Sequence, residues 1–223
     1  MQILFSIRGG LSLLNKETKK AGRPKSAEKR IQVLEAASDL FLEFGFSGCS
    51  MEMVAKQSGV SKQTVYSHFS NKEALFLAVI EDKCAEYRLD DRPLEGASYG
   101  LIQLLSERGL QIVKILHDDK VISMYRIIIG EVNSNPRVAE LFYQAGPKHI
   151  LDYLVKCFLK FAEQPITEEL AYKYAVTFFN LLKSEFHIKS ILGLDFALSD
   201  SEQIAQVEFA IQQIESLLAC KVN

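Results

Sequence analysis

The stretch from Ser50 to Phe69, SMEMVAKQSGVSKQTVYSHF, predicts two short helices separated by a tight turn. Ser50 is placed to cap the first helix, because a serine side chain accepts a hydrogen bond from the free backbone N–H groups of a first helical turn. Gly59 follows where helices commonly end in a left-handed backbone conformation. Ser61 then caps a second short helix, which we expect to run from Lys62 to Phe69.

Two short helices joined by a glycine-containing turn form a helix-turn-helix, in which the second helix enters the major groove of DNA. A solvated surface hairpin is the alternative for each residue alone, but the turn and both caps in register favour DNA binding. Base contacts are predicted from Lys62, Gln63, Thr64 and Ser67. Phosphate contacts are predicted from Ser50, Tyr66, His68 and Lys72, and from Arg23 in the preceding basic segment.

The net charge of −2 is unusual for a DNA-binding protein, but the charge is unevenly distributed. Residues 1–80 hold 11 Lys and Arg against 7 Asp and Glu, whereas residues 81–223 hold 15 against 21. This asymmetry predicts a basic N-terminal module attached to an acidic body.

Apolar residues at spacings of three and four predict helices along the rest of the chain, and therefore an all-α fold. A first helix is expected to start after Ser26 and to end at Gly45, with a core stripe from Ile31 to Phe44. A capping box of Ser70 and Glu73 predicts the start of the helix that follows the helix-turn-helix. Pro93 and Gly96 mark residues 90–98 as the linker to the second half of the chain.

The apolar pattern of the second half of the chain predicts several further helices. The helix from Val121 to Val132 is apolar nearly all round and is expected to be buried, and Gly146-Pro147 is expected to end one helix and start the next. Two long helices follow, the first after Thr167 and the second after a Ser199–Glu202 capping box. Their apolar stripes predict either a dimer interface or the protomer's own core. The predicted interface residues are Leu170, Tyr174, Phe178, Leu181, Val207, Ile211, Ile214 and Leu218.

The segments IQVLEAASDLFLEFGFSGCSMEMVA and GVSKQTVYSHFSNKEALF resemble the DNA-binding domain of TetR/AcrR-type transcriptional regulators. A second segment, YRIIIGEVNSNPRVAELFYQAGP, resembles the AefR-like type of C-terminal domain in that family. The resemblance implies a homodimer that binds a palindromic double-stranded DNA operator and is released by a small-molecule effector. It also implies three parts, namely a basic tail (residues 1–25), a helix-turn-helix domain (26–88, motif 50–69) and a helical effector-binding and dimerisation domain (97–220).

An effector pocket between the helices of the C-terminal domain is predicted from its aromatic and apolar residues, for which plain core packing is the alternative. Arg126 and Glu131 stand out as charges in an apolar helix, where they either line a cavity, pair with each other or reach the surface. The predicted pocket residues are Met124, Tyr125, Ile128, Phe142, Phe178 and Phe179.

Several classes of function lack support in the sequence. The cysteines (Cys49, Cys84, Cys157 and Cys220) form no C-x-x-C, and His117, His149 and His187 have no metal-ligand spacing, so no metal or cofactor is predicted. No nucleophile elbow, phosphate-binding loop or dinucleotide motif occurs, which argues against an enzyme. No apolar run is long enough to span a membrane, so we expect a cytoplasmic protein.

These observations predict a ligand-responsive transcriptional regulator, most often a repressor in the family it resembles. Two alternatives remain at this point. One is a DNA-binding regulator without a small-molecule effector, and the other is a small-molecule-binding protein with a vestigial helix-turn-helix. The residues do not distinguish a repressor from an activator, because that depends on where the operator lies relative to a promoter.

Overall fold

The computed structural model describes residues 27–87, 89, 100–194 and 197–219, which form α-helices and no strand, as the all-α prediction requires. The N-terminal part of the fold consists of α1 (Ala27–Gly48), α2 (Met51–Ser58), α3 (Lys62–His68) and α4 (Lys72–Glu86). The C-terminal part consists of α5 (Leu101–Leu116), α6 (Asp119–Glu131), α7 (Pro136–Tyr143), a π-helical turn (Gln144–Lys148), α8 (His149–Phe161), α9 (Glu168–Ile191) and α10 (Asp200–Ala219). The predicted basic tail with Arg23, the linker of residues 90–98 and Cys220 lie outside the described residues.

An aromatic cluster holds the N-terminal helices together. The ring of Phe41 in α1 lies 5.1 Å from that of Phe76 in α4, and Phe46 lies 5.2 Å from Phe76, both edge to face. Val54 of α2 and Val65 of α3 are fully buried beside this cluster. The helix-turn-helix of α2 and α3, here called the recognition motif, is therefore fixed to α1 and α4 by apolar packing. This packing resists any movement of α3 relative to α1 and α4.

Two details of the N-terminal helices differ from the sequence prediction. The buried apolar stripe on α1 is shorter than predicted, since Ile31 and Phe44 at its two ends are 54% and 47% exposed. The cap of α4 is Asn71, whose side chain accepts a hydrogen bond from the backbone N–H of Ala74 at 2.8 Å. The predicted capping box of Ser70 and Glu73 was therefore wrong by one residue at its cap position.

The C-terminal part differs from the prediction in its middle helices. Helix α6 is buried on one face only, and Ile129 on its outer face is 56% exposed. Gly146-Pro147 does not end one helix and start another as predicted, because a π-helical turn joins α7 directly to α8. A π-helical turn lengthens the hydrogen-bond spacing, so it accommodates a proline that lacks a backbone N–H.

Helix α9 contains a backbone feature that the sequence did not predict. Ser184 has φ 51° and ψ −164° in the middle of the helix, which kinks it. Residues other than glycine rarely adopt this region, so the position is strained. The predicted caps of the two long helices are confirmed, with Thr167 accepting from the N–H of Leu170 and Ser199 bonding reciprocally with Glu202.

Five of the eight residues predicted at a dimer interface are buried in the protomer's own core. Burial within a single chain leaves little of these five side chains for contact with a second copy, as the protomer-core alternative expects. A dimer interface that involves the stripes stays a prediction. Leu170, Leu181 and Leu218 are half-buried against the same core. The buried residues are Tyr174, Phe178, Val207, Ile211 and Ile214.

Candidate DNA interface and ligand cavity

The helix-turn-helix has the geometry that its sequence predicts. The Ser50 side chain accepts a hydrogen bond from the N–H of Met53 at 3.2 Å, and the Ser61 side chain accepts one from the N–H of Thr64 at 3.1 Å. Gly59 ends α2 in the left-handed region with φ 69° and ψ 16°. The two caps satisfy backbone groups at the helix starts, and the left-handed Gly59 ends α2 at the turn.

The outward face of α3 is polar and open to solvent. Lys62, Gln63 and Ser67, three of the four residues predicted to contact bases, are exposed, and Thr64 is half-buried. Tyr66 is 47% exposed beside them. The contacts of these side chains with DNA stay predictions, but this arrangement permits them.

The residues predicted to contact phosphate differ in how accessible they are. Tyr66 is exposed, whereas Ser50 and His68 are half-buried. The Lys72 ammonium donates hydrogen bonds to the carbonyl oxygens of Phe46 at 2.8 Å and Cys49 at 3.0 Å, and it lies 4.5 Å from the centre of the Phe46 ring. Two of its three donors therefore serve the fold, which the sequence did not predict.

Replacement of Lys72 with methionine tests this structural role. Methionine keeps the apolar stem but leaves the carbonyl groups of Phe46 and Cys49 without their partner. We expect the free energy of unfolding to fall by about 2 kcal/mol, as for the loss of hydrogen bonds to a charged group. Urea denaturation at high salt measures this change, and an unchanged midpoint would assign Lys72 to phosphate contact alone.

A cavity of about 430 Å³ lies between the N-terminal helices and the C-terminal body. Its walls come from α1 and α4 on one side, and from α5, α6, α8, α9 and the residues around the π-helical turn on the other. Of the six residues predicted to line a pocket, four do so: Met124, Tyr125, Phe142 and Phe179. Ile128 and Phe178 do not line this cavity. Ile128 is buried in the core cluster that includes residues of α1, α4, α6 and α7, and Phe178 is fully buried in the core of α5, α9 and α10.

Charged side chains form part of the cavity wall, whereas the hydroxyl of Tyr125 and the thiol of Cys84 are neutral at pH 7. The charged residues are Glu35, Asp39, Asp82, Lys83, Glu86 and Lys120. Burial raises the pKa of Tyr125 to about 12, and burial also raises the pKa of Cys84 to about 12. The Tyr125 ring meets the Phe142 ring edge to face at 4.8 Å. At the rim the cationic groups are paired, since Lys120 lies 3.1 Å from Asp39.

Polar contacts connect α6 to the N-terminal helices at both of its ends. Asp118, which caps α6, accepts from Lys83 of α4 at 2.9 Å. At the other end, the Glu131 carboxylate accepts hydrogen bonds from the Ser47 hydroxyl at 2.6 Å and the Ser47 N–H at 3.1 Å. The only sequence signal for this contact was a carboxylate in an otherwise apolar helix.

Arg126 occupies the same helix as Glu131 but binds elsewhere. Its guanidinium donates hydrogen bonds to the carbonyl oxygens of Ile191 at 3.0 Å and Ser190 at 2.5 Å, at the C-terminal end of α9. Neither charge points into the cavity, and the two do not pair with each other. Helix α6 therefore connects the end of α9 to the turn before the recognition motif.

Two classes of site are absent from the part of the chain that the structure covers. Among residues 27–87, 100–194 and 197–219, no group of three or more His, Cys, Asp and Glu side chains is arranged to hold a metal ion. In the same ranges, every helix is too short or too polar for a membrane span.

Known sequences are similar to both parts of the chain. The family model described as bacterial regulatory proteins, tetR family, matches residues 33–79, and the model described as AefR-like transcriptional repressor, C-terminal domain, matches residues 103–216. The regulator RutR of Escherichia coli K12 is 45% identical over 65 residues, which are 29% of this chain and 30% of RutR. The regulator UidR of the same strain is 32% identical over 116 residues, which are 50% of this chain and 56% of UidR. These alignments span less than two thirds of either relative.

Solved structures match over nearly the whole chain. The flavonoid-responsive regulator FrrA superposes with a TM-score of 0.63 at 31% identity, covering 86% of this chain and 97% of FrrA. A TetR transcriptional regulator from Agrobacterium tumefaciens has a TM-score of 0.64 at 21% identity, covering 86% and 94%, and shows the shared fold. This chain therefore belongs to the TetR family, with a C-terminal domain of the AefR-like type, and is a DNA-binding transcriptional regulator and not an enzyme.

Proposed function

We propose that this chain is a homodimeric repressor that releases its operator when a small aromatic, amphipathic ligand enters the cavity. The observation that carries this proposal is the position of the cavity, which has α1 and α4 as one wall and the C-terminal body as the other. A molecule bound there contacts the same two helices that hold α3. Its binding energy therefore acts directly on the placement of the recognition helix.

The chemistry of the cavity supports an aromatic ligand of moderate polarity. A volume of about 430 Å³ lies within the usual range for small-molecule sites. Phe142 and Phe179 supply apolar and aromatic walls, and the neutral hydroxyl of Tyr125 is available for a polar group of the ligand. FrrA, a flavonoid-responsive regulator, shares 31% identity with this chain, so we propose hydroxylated aromatic compounds as the ligand class.

Release follows from a difference in affinity between two conformations. If the ligand prefers a placement of α3 that does not fit the operator, it weakens DNA binding by the coupling free energy, typically about 1–3 kcal/mol. The operator must weaken ligand binding by the same factor. The contacts of α6 with Ser47 and Lys83 oppose such a movement, so they contribute to the balance between the two conformations.

Fluorescence anisotropy on DNA from immediately upstream of the chain's own gene, against a scrambled duplex, tests this proposal. We expect a preference of about a thousandfold for the upstream DNA, and a loss of this preference when flavonoids are added. Operator binding that no flavonoid in the panel changes, together with no flavonoid binding by calorimetry, would leave a regulator without this class of effector. Equal binding to both duplexes would contradict repression at this site.

For the dimer, we propose the outer faces of α9 and α10, which the protomer core leaves open. Phe209, Gln213 and Leu217 recur every four residues on α10, where Phe209 is 50% and Leu217 is 40% exposed. Tyr172 on α9 is 48% exposed. Uncharged and apolar side chains at helical spacing support a helix-to-helix interface between two copies.

Replacement of Phe209 with aspartate is expected to give a monomer, because the new carboxylate would be buried without a partner in the interface. Sedimentation velocity measures the mass. Replacement of Ile31 with aspartate is the matched control, since this side chain is 54% exposed on α1, in the DNA-binding part. A Phe209→Asp protein that sediments like the Ile31→Asp protein, both as dimers, would contradict this choice of interface.

A further inference from the structure

Two of the hydroxyl groups on the recognition helix are already used within the helix. The hydroxyls of Ser61 and Thr64 share a hydrogen bond at 2.9 Å, and the Ser67 hydroxyl donates to the carbonyl oxygen of Thr64 at 2.8 Å. A contact in which the Thr64 or Ser67 hydroxyl donates to a base competes with these local bonds, whereas each oxygen can still accept. Both residues are therefore weaker candidates for setting the DNA sequence than a side chain without local bonds.

Lys62 is also engaged, but by a residue outside the recognition helix. Its ammonium nitrogen lies 3.0 Å from a carboxylate oxygen of Glu52, in the first turn of α2. The Lys62 and Glu52 side chains are 63% and 53% exposed, so the pair sits on the open face of the motif. The hydrogen bond from Lys62 lowers the pKa of the Glu52 carboxyl, which shows that the pair stabilises the charged form of the carboxylate.

Gln63 is the contrasting case. Its side chain is exposed, and within the described residues the amide makes no hydrogen bond. A glutamine amide is suited to adenine, because its donor and acceptor match the N7 and N6 groups of that base in the major groove. No local bond has to be broken for this contact to form.

We propose that Glu52 is a specificity-determining residue of this DNA-binding domain, because it positions Lys62 at the base edges and leaves adenine recognition to Gln63. This inference rests on the sequence-specific operator binding proposed above.

The reason for a positioning role lies in the charge of the pair. A free lysine ammonium is attracted to the nearest phosphate, where it adds affinity but carries no sequence information. A lysine paired with a carboxylate has little net charge, so this attraction is reduced. One of its three donors is used by Glu52, and the remaining two are available for the O6 and N7 acceptors of guanine.

Removal of the Glu52 charge can change DNA affinity in two ways, and only one of them lowers the specificity ratio. A general gain in electrostatic attraction raises the affinity for every DNA sequence by the same factor. Release of Lys62 to a phosphate raises the affinity for non-specific DNA and lowers discrimination at the base pair that Lys62 contacts. The specificity ratio separates these two effects, whereas a single dissociation constant does not.

The experiment is selection from a randomised duplex library with the full-length protein, followed by anisotropy on the selected site and its single-base variants. The variants are Glu52→Gln, which keeps the shape of the side chain, and Gln63→Ala. Glu43→Gln serves as the control, because it removes an exposed carboxylate of α1 that does not touch Lys62. Circular dichroism melting checks that each variant is folded.

We expect a palindromic motif for the wild type and for Glu43→Gln. Gln63→Ala should lose about tenfold of the preference for adenine at one position in each half-site, as for one lost bidentate contact. Glu52→Gln should lose a similar factor of the preference for guanine at another position. It should also bind scrambled DNA several-fold more tightly, and its affinity should fall more steeply with salt.

Three results would overturn the inference. If Glu52→Gln selected an unchanged motif and its affinity rose by the same factor for every DNA sequence, Glu52 would act only through general electrostatics. Retained adenine preference in Gln63→Ala would exclude its assignment to that base. If the DNA selected by the wild-type protein contained no common motif, sequence-specific regulation would be contradicted, and this inference with it. That outcome would identify a failure of the proposed function.

Discussion

Replacement of Gly45 with alanine is expected to lower the free energy of unfolding by about 3 kcal/mol, through backbone strain and lost hydrogen bonds together. Gly45 has φ 71° and ψ 177°, a region that is open almost only to glycine. An added Cβ would also lie 2.0 Å from a carboxylate oxygen of Glu131. The carboxylate would have to move, and it would then lose its bonds to the hydroxyl and N–H of Ser47.

Gly59 provides a comparison for this change. It also has a positive φ, 69°, but its ψ of 16° lies in the left-handed helical region, which strains other residues less, and an added Cβ there meets no atom within 4 Å. Gly59→Ala should therefore cost only about 1 kcal/mol, the strain of the left-handed conformation. Urea denaturation of both variants measures the difference, and equal losses would contradict both the greater backbone strain at Gly45 and the contribution of the contact with Glu131.

A double-mutant cycle isolates the contact itself. Glu131→Ala alone removes the hydrogen bonds to Ser47, and Gly45→Ala already displaces the same carboxylate. The two losses should therefore not add, and the double mutant should be more stable than their sum predicts, by about 1 kcal/mol or more. Additive losses would mean that the carboxylate adapts to the alanine without leaving Ser47.

Local rules were sufficient for the recognition motif. The ends of α2 and the start of α3 were predicted because Ser50, Gly59 and Ser61 act on backbone groups within three or four residues of themselves. The same holds for the caps of α9 and α10. Such features depend on sequence neighbours alone, so a single sequence contains all of the information that they require.

Contacts between distant elements were not predictable in the same way. Lys72 binds the carbonyl of Phe46, which is 26 residues away, and Glu131 binds Ser47, which is 84 residues away. The type of residue indicated a polar partner but did not identify it. The stripes on α9 and α10 show the related ambiguity, because an apolar stripe is equally consistent with a protomer core and with a dimer interface until the neighbouring helices are placed.

The second large effect is expected from pH, through His187. This side chain is 7% exposed, and its Nδ1 atom has no hydrogen-bond partner within the described residues. Its ring packs edge to face on Tyr125 at 5.0 Å, on the wall of the cavity. Burial, reinforced by the positive charge of Lys183 and by the neighbouring His117, lowers the pKa of His187 to about 4.

The direction of the effect follows from proton binding. Between an ordinary histidine pKa of about 6.5 and a folded-state pKa of about 4, the unfolded chain binds a proton that the folded chain does not. Stability is therefore highest above pH 6.5 and falls as the solution becomes more acidic. From pH 7.5 to pH 4.5 we expect His187 to account for a loss of about 2.5 kcal/mol in the free energy of unfolding.

His187→Gln is the variant that isolates this contribution, since glutamine keeps a donor for the carbonyl of Leu116 but does not titrate. Urea denaturation of both proteins across this pH range gives the difference between their slopes, in which the shared carboxylates cancel. The wild type should lose about 2.5 kcal/mol more than the variant. Parallel curves would mean that His187 becomes protonated in the folded state as readily as in the unfolded chain.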